Sequence, residues 1–212
     1  MNQHMVTPQK RARRNNSRRG ICILGREVLQ DVLQKAPRRN GAQRGLIEVY
    51  TGPGKGKTTA ALGLALRATG HGLRAIMIRF SRCDFQYGED IFVSNCQPFE
   101  IVQLKEKGNA GQSRAELYSA VQEAFAYAER VLIEGSHDVL ILDDIFGAID
   151  MALLNVEHVM HLIRIKPPWL ELILTGLSAP REVQKQADLV TQMLMIKHPF
   201  YQGIEPREGI DY

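Results

Sequence analysis

No apolar run among the 212 residues approaches the roughly 20 that a helix needs to cross a bilayer, so a helical membrane protein is excluded. Cysteine is scarce. Cys22, Cys83 and Cys96 form no CxxC pair and no even set, so neither a zinc ribbon nor a disulfide-stapled secreted fold is expected, and the three read most simply as free thiols. The first residues are basic but lack the long apolar stretch and small-residue cleavage site of a secretory leader, so the expected compartment is the cytoplasm. Acid is missing from one end: residues 1–44 hold eleven Lys and Arg against Glu27 and Asp31 alone. That segment carries +9 where the whole chain carries +4, so residues 45–212 carry −5. A basic run interleaved with Asn15, Asn16 and Ser17 and almost nothing apolar reads as a solvated tail. A nucleic-acid arm is the rarer use of such a run, and nucleic acid is not an expected partner.

Composition shifts near Arg44-Gly45, which divides a basic arm at 1–43 from one domain at 44–212. Within the arm, Val28, Leu29, Val32 and Leu33 recur at helical spacing inside Arg26–Ala36, predicting a short amphipathic helix ended by Pro37. Beyond Leu46, short apolar runs alternate with helical stretches. Strands are expected at Leu46–Tyr50, Arg74–Phe80, Phe99–Leu104, Val139–Leu142, Leu170–Leu174 and Thr191–Ile196. Helices are expected at Lys57–Thr69, Arg114–Glu134, Asn155–Ile165 and near Arg181–Ala187. Such alternation predicts an α/β fold, a mainly parallel sheet with helices on both faces and ligands gathered at the carboxyl ends of its strands.

The segment Thr51-Gly52-Pro53-Gly54-Lys55-Gly56-Lys57-Thr58-Thr59 stands between the first strand and the first helix. Glycines there let successive N–H groups converge on phosphate oxygens, and the helix that follows offers unpaired N–H groups and a positive dipole end. Lys57 is placed to bridge the outer phosphates and the Thr58 hydroxyl to ligate Mg²⁺. The strict phosphate-loop pattern asks for glycine at 51, where this chain has threonine. Lys55 has two readings, a phosphate contact or an exposed side chain. The second half of a nucleotide site is a carboxylate at the end of a buried strand, and Val139–Leu142 runs into Asp143 and Asp144. Which of the two serves the metal depends on how the chain leaves the strand. His158 and His161 share a helix face, but no third ligand accompanies them.

These residues resemble the P-loop-type ATP:corrinoid adenosyltransferases, with a RecA-like architecture, over residues 44–212. Arg44-Gly45-Leu46-Ile47, Tyr50-Thr51-Gly52, Gly54 to Ala61, Arg67 to Gly72, Leu142-Asp143, Leu174-Thr175-Gly176 and Ala187 to Val190 carry the likeness. So do Lys197-His198-Pro199-Phe200, Gly203 and Gly209-Ile210-Asp211-Tyr212. Thr51 is itself a trait of the family. The resemblance implies transfer of the 5′-deoxyadenosyl group of ATP to a reduced corrinoid with release of tripolyphosphate. It implies Mg²⁺, a homodimer whose N-terminal arm covers a neighbouring site, and a flavoprotein reductant. By analogy Arg67 is a further nucleotide contact and His198 a wall of the pocket.

Three departures stand out. The family's Asp-Glu pair is Asp143-Asp144 here, its Thr-Gly-Arg is Thr175-Gly176-Leu177, and its Phe and Trp on the corrinoid side have no counterpart in Lys105–Gly111. Phe85, Tyr87 and Phe92 either offer another apolar surface or belong to a loop tucked onto the domain, while Trp169, the only tryptophan, reads as core or edge packing. A second reading therefore stays open: an ATP-binding relative, an ATPase or a regulator, without corrinoid chemistry.

Overall fold

The computed structural model describes residues 44–81, 86–103 and 113–212. The basic arm with its Arg26–Ala36 helix, Cys22, Cys83, Phe85 and the 105–111 stretch lie outside the described residues. In chain order the elements are β1 (Ile47–Thr51), α1 (Lys57–Gly70), β2 (Ala75–Arg79), α2 (Gly88–Cys96), β3 (Glu100–Gln103), α3 (Arg114–Glu134) and β4 (Val139–Asp143). Then come α4 (Ile145–Asp150), α5 (Val156–Ile165), β5 (Glu171–Thr175), α6 (Arg181–Gln186), β6 (Leu189–Gln192) and a 3₁₀ turn at Pro199–Gln202.

Among the described residues one six-stranded sheet holds all the strands, in the order β3-β2-β4-β5-β1-β6, with every pairing parallel. This is the RecA-like P-loop arrangement, in which β5 separates the strand that feeds the glycine loop from the strand that ends in the acid pair. β2 and β4, each four apolar residues closed by a charged one (Arg79 and Asp143), are buried at all five positions, because helices cover both faces of the sheet. On one face Ala61, Ala65 and Ala68 of α1 lie against Met77, Ile141 and Ile173, small side chains letting the helix approach the strands closely. On the other, Val121, Ala128 and Leu132 of α3, Val159 and Leu162 of α5 and Val183 of α6 pack on Ile76, Ile78, Leu140 and Leu142. Helix α3 starts on a capping box, Ser113 with Glu116, and ends at Gly135 in the left-handed conformation. Trp169 packs against the α3 side of the core.

Two expectations need correction. The last strand is Leu189–Gln192, not Thr191–Ile196: β1 turns away into its glycine loop after Thr51, so the ladder with β1 ends at Gln192 and Met193 bonds to Thr51 and the loop instead. Cys96 is disulfide-bonded, so the thiols are not all free; spacing along a chain carries no information on which sulfurs meet in space. Two short helices, α2 and α4, of nine and six residues, went unread because neither shows a clear apolar period; the equally short α6 was expected.

Gly176 follows β5 where the sheet meets α4. A Cβ there would stand 2.5 Å from the Phe146 Cβ and 3.0 Å from its backbone nitrogen, and Phe146 is fully buried. Gly176→Ala is expected to destabilise the fold by about 1–3 kcal/mol, measured by urea or thermal unfolding; an unchanged midpoint would mean that α4 moves aside freely.

Candidate functional site

Thr51 ends β1 with its side chain buried. Its hydroxyl donates to the Leu177 carbonyl at 3.0 Å and accepts from the Ala179 amide at 3.0 Å, clasping the β5–α6 connection to the start of the loop. This is what a threonine does where the strict pattern has glycine. The loop's own glycines are set by crowding: a Cβ on Gly52 would lie 2.4 Å from the Met193 carbonyl oxygen, and one on Gly54 2.7 Å from that of Leu194. Gly56, with φ 117°, turns the chain into α1. Lys57 then folds back, donating to the Gly52 and Gly54 carbonyls at 2.7 and 2.8 Å. Burial pulls its ammonium below the ordinary lysine value, opposed by the charges of Asp144 and Asp143.

Thr58, in the first turn of α1, reaches β4: its hydroxyl donates to Asp143 Oδ1 at 2.9 Å. Thr175, at the end of β5, donates to the same oxygen at 2.8 Å and accepts from the Asp144 amide at 2.8 Å. From the end of β2, Arg79 places Nε 3.5 Å from Asp143 Oδ2. Its other nitrogens hold Asp90 at 3.1 and 3.2 Å and Glu89 at 3.1 Å, and its guanidinium carbon lies 4.5 Å from the Tyr87 ring centroid. Arg79 is only 1% exposed, and its Nε has no hydrogen-bond partner.

Asp144 adopts φ 56°, a left-handed conformation that aspartate tolerates better than most residues. This turn carries the chain from β4 into α4 and lets both acids face the same cleft. The Asp144 carboxylate sits over Gly147, where a Cβ would meet its oxygens at 2.8 Å. Burial, then the neighbouring Asp143 charge, push its pKa up to about 6.

The cleft is a cavity of about 530 Å³ lined by Lys55 to Thr59, Arg79, Asp143, Asp144, Thr175 and, from far along the chain, Gly209 to Tyr212. Lys55 ion-pairs with Asp211 there and donates to the Ile210 carbonyl at 3.2 Å. A second cavity of about 550 Å³ adjoins it and shares Lys55 and Asp211; His198, Lys197, Phe200 and Arg207 are among its walls. Of the residues singled out from the sequence, Lys55, Gly56, Lys57, Thr58, Thr59, Asp143 and Asp144 thus line one space, and Gly54 and His198 line the next. Thr51, Gly52 and Pro53 shape the loop from behind. Arg67 is exposed in the last turn of α1 and lines neither cavity. Arg79 and Thr175 escaped the sequence reading as site residues, although an arginine closing an otherwise apolar strand is a signal that could have been used.

The donor set has the chemistry of a hard cation site: two carboxylates and one hydroxyl, all oxygen, face one space. Four carboxylates (Asp143, Asp144, Glu89, Asp90) surround two cations (Lys57, Arg79), an excess of negative charge that a divalent ion would offset. Among the described residues no three His, Cys, Asp or Glu form a cage. Mg²⁺ needs none, since one or two carboxylates with water and phosphate oxygens complete its shell. The residues fit the ion. His158 and His161 form no site: His158 accepts from the Asn155 amide and His161 pairs with Glu129 at 2.7 Å.

A carboxyl that keeps its proton to about pH 6 in the fold, but loses it near pH 4 when unfolded, costs the native state stability as pH rises between those values. Asp144→Asn removes that dependence. In chelator, its stability relative to the parent is expected to increase from about pH 4 to about pH 6 and then level off; thermal unfolding across that range measures this, and parallel profiles would refute it.

Residues 43–212 match the family described as ATP:corrinoid adenosyltransferase BtuR/CobO/CobP. The chain is 32% identical to a corrinoid adenosyltransferase of Escherichia coli (strain K12) over 171 residues, 80% of this chain and 87% of the relative. It is 30% identical to the corrinoid adenosyltransferase CobA of Salmonella typhimurium (strain LT2), with the same coverage. A corrinoid adenosyltransferase of Sinorhizobium sp is 30% identical over 175 residues, 80% of this chain and 81% of that one. Since the match runs through every described element, from β1 to Tyr212, the chain belongs to the ATP:corrinoid adenosyltransferase family.

Proposed function

We propose that this chain transfers the 5′-deoxyadenosyl group of ATP to the cobalt of a reduced corrinoid and releases tripolyphosphate. The observation that carries the reading is the convergence of Lys57, Thr58, Asp143 and Asp144 on one cavity at the carboxyl ends of the strands. In the reaction, Co(I) attacks the ribose 5′ carbon, a cobalt–carbon bond forms, and the C5′–O bond breaks with its electron pair leaving on the triphosphate. Co(I) is nucleophilic enough to need no base. The protein's work is to hold the triphosphate in line and to offset the charge that grows on it.

Lys57 is suited to that work, because it can exchange the Gly52 and Gly54 carbonyls for phosphate oxygens with little movement of its stem. Lys55, the loop amides and the Thr59 face complete the grip, with Pro53 shaping the loop from behind. Thr58, Asp143 and Asp144 would hold Mg²⁺, which supplies further positive charge to the leaving group. Thr175 and Arg79 keep Asp143 aimed, and His198 forms a wall of the neighbouring space. Arg67 lies outside both cavities, and a nucleotide contact for it rests on the family likeness alone. A homodimer, a flavoprotein reductant and a cytoplasmic location complete the proposal and rest on the family likeness; among the described residues no helix is long and apolar enough to cross a membrane.

The test is an anaerobic spectrophotometric assay with MgATP and chemically reduced cobalamin, in which adenosylation changes the corrin absorbance. Lys57→Ala is expected to lower turnover by about two to three orders of magnitude, the usual cost of deleting one preorganised charge donor. An active Lys57→Ala variant, or no product from the parent chain under full reduction, would reject the proposal; tight ATP binding without product would favour an ATP-binding relative that lacks corrinoid chemistry.

A further inference from the structure

Both cations of the phosphate loop are occupied by the protein itself. Lys57 is held by two loop carbonyls, and Lys55 by Asp211 and the Ile210 carbonyl. The second arrangement brings together residues 156 positions apart in sequence. Asp211 uses both carboxylate oxygens: Oδ1 meets Lys55, and Oδ2 accepts from the backbone N and the Nε of Arg207, each at 2.9 Å. An anionic oxygen pair shared between a lysine and an arginine is also how a phosphate group is gripped. The Lys55 and Arg207 contacts hold the Asp211 carboxyl well below the usual carboxylate range, so it is an anion at any working pH.

Position gives the contact its meaning. Gly209 to Tyr212 line the cavity that holds Lys57, Thr58 and the acid pair. Lys55 and Asp211 also line the neighbouring cavity with His198 and Arg207, so their ion pair stands in the partition between the two spaces. A triphosphate entering the first space meets a like charge already seated on one of the loop's lysines.

We propose that Asp211 is a resident anion of the phosphate loop, an autoinhibitory contact that occupies Lys55 until a triphosphate displaces it. Displacement frees Arg207 and the 207–212 segment and opens the partition between the two cavities. The proposal rests on the reading of the loop as a triphosphate site. It assigns Lys55 a second role, a switch between an internal carboxylate and the incoming ligand.

Calorimetric titration of the full chain with inorganic tripolyphosphate isolates this competition from any contact to base or sugar. Asp211→Asn is expected to bind about fivefold more tightly than the parent, the factor imposed when an exposed ion pair of ordinary strength must open first. Asp211→Glu, which keeps the charge, should stay near the parent. In a Lys55→Gln background the gain from Asp211→Asn should vanish. Unchanged or weaker binding by Asp211→Asn, or a gain that persists without Lys55, overturns the proposal. Lys57→Ala separates the two levels: if it leaves tripolyphosphate binding intact, the loop reading fails and takes this proposal with it. If it weakens binding while Asp211→Asn does nothing, only the role of Asp211 is lost.

Discussion

The Asp143 carboxylate is the point on which the site depends. It is 2% exposed at the end of a fully buried strand, where an ionised acid survives only if it is surrounded by donors and opposite charge. Thr58 comes from the loop–helix junction, Thr175 from β5 and Arg79 from β2, so the solvation of one carboxylate links four separate parts of the chain. Each hydrogen bond to such a charge is worth about 1.5–3 kcal/mol, and removing one leaves part of the penalty uncompensated. The same contacts that make the buried acid tolerable also fix the direction in which it faces.

Around that centre the backbone is placed by close approach. Gly52 and Gly54 admit the carbonyls of Met193 and Leu194, and Gly176 admits Phe146. Thr51 closes the β5–α6 connection over the loop. The glycine pattern usually associated with phosphate therefore does a packing job as well: it lets the segment after β6 lie against the loop, with the Gly54 amide donating to the Met193 carbonyl at 2.8 Å. That segment then carries Lys197, His198 and Asp211 to the edge of the cleft. Parallel strand order explains why such distant residues meet, since every carboxyl end opens on the same side of the sheet.

Each cation in the cleft already has a partner within the protein. Lys57 rests on carbonyls, Lys55 on Asp211, and Arg79 on Glu89, Asp90 and Asp143. Asp144 is the least compensated member, and its raised pKa follows from its burial beside Asp143.

Periodicity and motif were enough to read the α/β class, the first, second and fourth strands, the long helices and the loop with its acid pair, because these signals are local: apolar runs, helical spacing, glycines beside a lysine. The short helices α2 and α4 and the true extent of β6 were not legible, since neither helix repeats an apolar period and strand ends are set by available partners. Nor could the sequence rank Arg67 below Thr175, or show that Asp144 turns left-handed so that both acids face one space. The order of the strands, the seat of Arg79 and the meeting of Lys55 with Asp211 were decided by tertiary structure alone. The physical reason is that each depends on partners brought together across the sheet from distant parts of the sequence, and no single stretch of chain contains both.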